Sequence, residues 1–367
     1  MKPRHLVLSI DYEIFGNGSG DVRQHMVDPT DRMARDADAF AMPLTIYVEM
    51  EEYLAFERYS AELTRLLGYD PAALIRDQIR KLAAKGHDIQ LHLHPQWHGA
   101  TLVDGVWQLD RSRQTVDSLF ATQRETTQYI AERKAALERL MGEVAQERPV
   151  VVYRAGAFSA QPGRKLIAAL AANGFRIDSS VVKGLTHKNP HLDLDYRRAP
   201  SAHDPWRVSQ DVAIEDASGP LWEMPIYSVM GRRIQQATWG RFKAKFSRNV
   251  PRNQQRDMVQ QLGVGRNPAK VLKFLFQPVP IKLDFHNLSP RKLLEMIHSA
   301  PAPANPALPD VLVLIGHSKE HADDRAFGRF LELVAADSSL KVVGFGEVAA
   351  MMPKTGEAVV RLMQGVA

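Results

Sequence analysis

The chain has 367 residues, 45% hydrophobic and 24% charged, with a formal net charge of +5. That composition describes an ordinary globular protein with a sizeable core and excludes a disordered one. There is no cysteine, which excludes disulfides, thiolate nucleophiles and cysteine-based zinc sites, so any metal must sit on His, Asp and Glu.

"HLVLSID" (5–11) reads as a short apolar strand ending in an acid, and "PLTIYVEM" (43–50) as a second. Between them, 28–41 reads as a helix with Pro29 in its first turn and Asp28 or Thr30 as cap. "DPAALIRDQIRKLAAKG" (70–86) has helical apolar spacing and closes on a glycine. "HDIQLHLHP" follows as a strand, and 112–141 reads as one long amphipathic helix. "RPVVVYRAGAFS" (148–159) is a buried strand entering a polar turn. A helix with a glycine stop and the strand "RIDSSVV" come next, and "IKLDFHNLS", "VLVLIGHSKE" and "KVVGFGE" close the series.

Strands alternating with helices imply parallel pairing through right-handed crossovers. The expected fold is a closed or nearly closed α/β barrel, with a doubly wound open sheet as the alternative. The whole chain, 1–367, is expected to be one barrel domain with an insertion at about 185–280. Between 231 and 282 the basic residues meet a single acid, Asp257.

The reactive residues fall at strand ends: Asp11 and Glu13, Glu49, His92 and His94, Arg154, Asp178, Asp284 and His286, and His317. In a parallel barrel these ends gather on one face, where active sites lie. His92 and His94 are two apart on a strand, so their side chains share a face. Asp11 and Glu13 have the same spacing and can supply a carboxylate, giving a His/His/carboxylate metal set with an open position for water. His98 completes a ligand pair with His94 if that segment turns helical. His87, after a helix-ending glycine, reads as structural, and Glu49 as a polar edge residue, with a pocket role as the alternative. Asp284 and His286 are left open between pocket and surface.

An ordered series of motifs resembles the polysaccharide deacetylases of the NodB-homology type, carbohydrate esterase family 4. "SIDYE" (9–13), "GHDIQLHLHP" (86–95), "YRAGAFS" (153–159), "IDSS" (177–180) and "LIGHS" (314–318) stand in the family's order. The resemblance implies a distorted (β/α) barrel and metal-assisted hydrolysis of an acyl group on a sugar, with zinc as the expected ion. It makes Asp11 the catalytic base and His92 the first metal histidine. Arg154 orients the base, His317 is the general acid, and Asp178 is the acid paired with His317. Two positions depart from the pattern. Tyr12 stands where the family has a metal-binding aspartate, with Glu13 as the substitute. Gln96 stands at the second metal histidine, with His94, or the pair His94 and His98, as the replacement.

No membrane-length apolar run and no signal-like stretch is present, so a cytoplasmic location is expected. An enzyme there meets a biosynthetic intermediate, such as a nucleotide- or lipid-linked amino sugar. The basic segment 231–282 suits an anionic diphosphate or peripheral contact with an acidic membrane. No nucleic-acid-binding motif is present. The rival readings are a hydrolase of another amide, formamide or cyclic, and a carbohydrate-binding barrel without catalysis.

Overall fold

The computed structural model describes residues 3–236 and 275–353. Most of the basic segment therefore lies outside the described residues.

The strands in chain order are β1 (Arg4–Tyr12), β2 (Leu44–Glu49), β3 (Asp88–Leu93), β4 (Thr101–Val103), β5 (Val106–Gln108), β6 (Val152–Ala155), β7 (Ile177–Asp178), β8 (Thr186–Asn189), β9 (Leu192–Asp195), β10 (Trp206–Val208), β11 (Leu221–Glu223), β12 (Ser228–Arg232), β13 (Pro278–Lys282), β14 (Val311–His317) and β15 (Leu340–Val342). The helices are α1 (Asp28–Asp38), α2 (Met50–Arg58), α3 (Ser60–Leu67), α4 (Pro71–Ala84), α5 (Gln123–Met141), α6 (Arg164–Ala172), α7 (Pro290–Ser299), α8 (Asp324–Ala335) and α9 (Phe345–Met351).

The main sheet has nine strands in the order β10-β11-β7-β6-β3-β2-β1-β14, with β15 also paired to β1. Pairing is parallel except between β10 and β11. The sheet curls until its far ends meet. Just beyond β11, Ile226 bridges Val313 of β14, and Asp284 bridges Ile315. The architecture is thus a distorted (β/α) barrel, closed by two isolated bridges where a ladder would otherwise run. β10 and β11 belong to this sheet although they fall inside the stretch 185–280 expected to be an insertion.

Alternation along each strand divides the core in two. Val7, Tyr47, Val152, Ile177, Ile226, Val313 and Ile315 fill the barrel interior. Leu6, Leu8, Ile10, Ile46, Leu91 and Leu314 face outward and pack with Ile75, Ile79 and Leu137 of the helical layer. Each such fully buried side chain contributes roughly 1.5–3 kcal/mol. Val343, Phe345 and Val348 plug the lower end. The Phe345 N–H donates to Thr45 Oγ1 at 3.0 Å and the Gly346 N–H to Asp88 Oδ2 at 3.0 Å.

Local chemistry sets the helix bounds. Asp70 accepts from the N–H groups of Ala72 (2.9 Å) and Ala73 (3.2 Å), and Pro71 opens α4 without losing a needed donor. The helix expected over 112–141 begins only at Gln123. Thr122 and Glu125 form a reciprocal capping box there, at 3.0 Å and 3.3 Å, which fixes the start.

Candidate active site

At the upper end of the barrel the inward positions become polar. The register sets Asp11 opposite His317 and His92 opposite Arg154. Tyr12, one residue on from Asp11, points the other way and donates its hydroxyl to Gln78 Oε1 of α4 at 2.7 Å. It is outside the site, and Glu13 returns to the inner face.

Glu13 Oε2 lies 2.6 Å from His94 Nε2 and 3.3 Å from His92 Nε2. Both nitrogens are buried and face this one carboxylate oxygen. The three atoms lie within 4.8 Å of one another, as ligands around one ion do. The Nδ1–H of His92 is donated to the carbonyl oxygen of Arg154 at 2.9 Å, which leaves Nε2 with a free lone pair facing carboxylates. His94 Nδ1 is 3.0 Å from the Gln96 side-chain amide, which orients the ring and can present either its nitrogen or its oxygen. The Glu13, His92 and His94 donor set therefore fits a divalent metal. A second group, Asp11, Glu13 and His317, overlaps it.

Two further residues hold His94. Glu49 Oε1 accepts its main-chain N–H at 2.8 Å while the same carboxylate caps α2. Gly156 lies under its ring, and a Cβ there would stand 2.5 Å from His94 Cγ.

Asp11 Oδ1 is bonded to Arg154 Nη1 at 2.8 Å, and Oδ2 lies 3.5 Å from His317 Nε2. Burial alone would push this carboxyl up, but Arg154, His92 and His317 outweigh it and hold the pKa below the ordinary aspartate value. Arg154 is wholly buried, stacks over the Tyr47 ring at 4.1 Å and donates Nε–H to Ser179 O at 3.0 Å. Burial would lower the pKa of His317, but Glu320 and Asp11 raise it above that of a free histidine. Glu320 Oε2 lies 3.5 Å from His317 Nδ1. Burial likewise opposes ionisation of Glu13, yet Lys319 and the two histidines hold its pKa well below the usual glutamate value.

Two assigned residues fall elsewhere. Asp178 does not reach His317: Ile177 takes the inward position on β7, so Asp178 turns outward, accepts from Ser180 Oγ at 2.5 Å and pairs with Glu223. Burial pushes its pKa up to about 6. His98 is not in the metal group. Pro95 starts a 3-10 turn, Pro95–Trp97, that carries His98 away to Glu51 Oε2 (3.3 Å), against the rings of Phe120 and Tyr129. His87 is structural, accepting the Leu44 N–H at 3.1 Å. Asp284 caps a turn through the N–H of His286 (3.0 Å), and His286 is half-buried against Phe285 and His321.

Sequence reasoning missed Lys319 and Glu320. Their one signal is position, directly after His317 in "GHSKE".

No family model and no curated protein matches the chain. Solved structures similar to it include a Mycobacterium smegmatis protein assigned as a polysaccharide deacetylase, with 19% identity, coverage of 99% of this chain and 92% of that one, and a TM-score of 0.46. A 4-alpha-glucanotransferase from Thermococcus litoralis has 10% identity, 96% and 41% coverage and a TM-score of 0.49. A family 4 carbohydrate esterase from Streptomyces lividans has 8% identity, 93% coverage of each chain and a TM-score of 0.38. Scores and identities are low, and the barrel assignment stands on sheet order and register. Among the described residues no helix is long and apolar enough to cross a membrane.

Proposed function

We propose that the chain is a metal-dependent hydrolase that removes an N-acyl group, acetyl in the first instance, from an amino sugar. The observation that carries this reading is the convergence of Glu13, His92 and His94 beside an Arg-paired Asp11 and a His317 on the opposite side of it.

Glu13, His92 and His94 would hold the ion, with zinc the choice that suits two imidazoles and a carboxylate. Such an ion supplies a polarised acyl carbonyl and a more acidic water. Asp11 is kept ionised by Arg154 and takes the proton of the attacking water. His317, whose pKa is raised against burial by Glu320 and Asp11, donates a proton to the leaving nitrogen. Cleavage of an amide needs that donor, because an amide anion leaves poorly. Glu320 takes the supporting role that the motif resemblance gave to Asp178. The substrate is read as a nucleotide- or lipid-linked amino sugar in cell-surface polysaccharide biosynthesis, met in the cytoplasm. The ordered motifs support the sugar, and the basic segment 231–282 supports an anionic carrier or membrane surface.

The test uses protein stripped with chelator and reloaded with zinc, cobalt or manganese. It is offered a panel of N-acylated amino sugars, and the released acid is identified. Metal-dependent release of acetate, with His317→Ala losing rate but keeping metal, supports the reading. No release from any sugar with any of the three metals would remove it.

A further inference from the structure

Lys319 has no part in the chemistry above, yet it is built into the centre. Its side chain is only 12% exposed. Its ammonium donates to Glu13 Oε1 at 2.6 Å and to the carbonyl oxygen of Ile14 at 3.1 Å. Burying an ammonium is costly unless it is paired, and Glu13 is the partner. The neighbouring Ser318 hydroxyl donates to Glu13 O at 3.3 Å, so the turn after β14 is tied to the end of β1 at both side chain and main chain. The other carboxylate oxygen, Oε2, is the one that faces both histidines. The two oxygens of Glu13 are thus divided between a fixed cation and the ligand group.

We propose that Lys319 is a positioning residue that restricts Glu13 to a single metal-facing oxygen; this rests on the metal-centre reading above. A carboxylate free to offer both oxygens fills a coordination position that water and the acyl oxygen need. The ammonium also places a positive charge beside the ion. Removing it frees the second oxygen and ends a repulsion, and both changes strengthen the hold on a cation.

Cobalt(II) is the probe, on the full chain, with its dissociation constant and visible absorption spectrum as readouts. Lys319→Met should bind cobalt about tenfold tighter or more, and its visible bands should lose intensity as coordination number rises. Lys319→Arg keeps a donor at Glu13 Oε1 and should stay near wild type in both. If circular dichroism shows Lys319→Met unfolded, Lys319→Gln carries the same expectation. Unchanged affinity and spectrum overturn the proposal. So does weaker binding, which would make Lys319 a simple support of the ligands. A wild-type chain that takes no cobalt overturns the metal reading itself, an outcome separate from either.

Discussion

Across the β3–β6 pairing, His92 gives its Nδ1–H to the main-chain carbonyl of Arg154, 2.9 Å away. One residue thus fixes the tautomer of the proposed ligand with its backbone and holds the proposed base, Asp11, with its side chain. His92→Ala and His94→Ala should each abolish stoichiometric metal after dialysis, read by elemental analysis. His98→Ala should keep the metal, because that side chain sits with Glu51.

Gly156 should be intolerant of the smallest side chain. A Cβ there would meet the His94 ring at 2.5–2.6 Å on three atoms, closer than any real contact. Gly156→Ala should stay folded by circular dichroism and lose metal affinity by roughly 10–100-fold, as displaced supporting contacts do. Retention of full affinity would show that the ring can sit elsewhere.

Arg154→Met takes from buried Asp11 its 2.8 Å guanidinium partner and leaves it the more distant His317 at 3.5 Å and His92 at 4.0 Å. The expected loss is roughly 3–5 kcal/mol in denaturant unfolding. Adding Asp11→Asn removes that buried charge and should recover part of that stability, although the double variant is inactive.

The Asp178–Glu223 pair gives a pH dependence of definite sign. Burial raises both carboxyls, Asp178 to about 6 and Glu223 well above the ordinary glutamate value. The folded state therefore holds protons that the unfolded chain has released. This stability is present in full below the unfolded carboxylate range and is lost as pH rises through about 6 and beyond. The slope is on the order of 1 kcal/mol per pH unit while one proton differs. Chemical denaturation between pH 5 and 8 should show the decline attributable to this pair, and Glu223→Gln should flatten it.

The two-residue alternation of β1 and β3 makes the pairing of Asp11 with Glu13, and of His92 with His94, legible in the sequence. Position on a strand decides face, and strand ends gather in a barrel. The same rule fails for Asp178, because "RIDSSVV" does not say which of its residues turns inward, and Ile177 takes that place. His98 fails for another reason: Pro95 begins a turn, so spacing counted along a strand or a helix no longer holds. Lys319 and Glu320 are hidden because an ammonium and a carboxylate after a strand read as an exposed turn, and only the closeness of Glu13 and His317 gives them a role. The start of α5 is written in "TQRE", but the apolar pattern upstream of it is the louder signal.

The two bridges that close the barrel divide it mechanically. β1 and β3, which carry Glu13 at their margin and His92, are laddered to neighbours on both sides. β14, which ends at His317, has a continuous ladder on one side and, among the described residues, the isolated bridges at Ile226 and Asp284 on the other. Thermal breathing of the cylinder will concentrate at that seam. The amide of Tyr227, bonded to Val313 O at 3.1 Å, should exchange with deuterium before those of Leu8 and Ile10. On the proposed reading, the metal-facing Glu13 and His92 would ride on the stiff wall and His317, the proposed proton donor, on the compliant one, so that the donor would yield to an arriving substrate while the ligand geometry stays fixed.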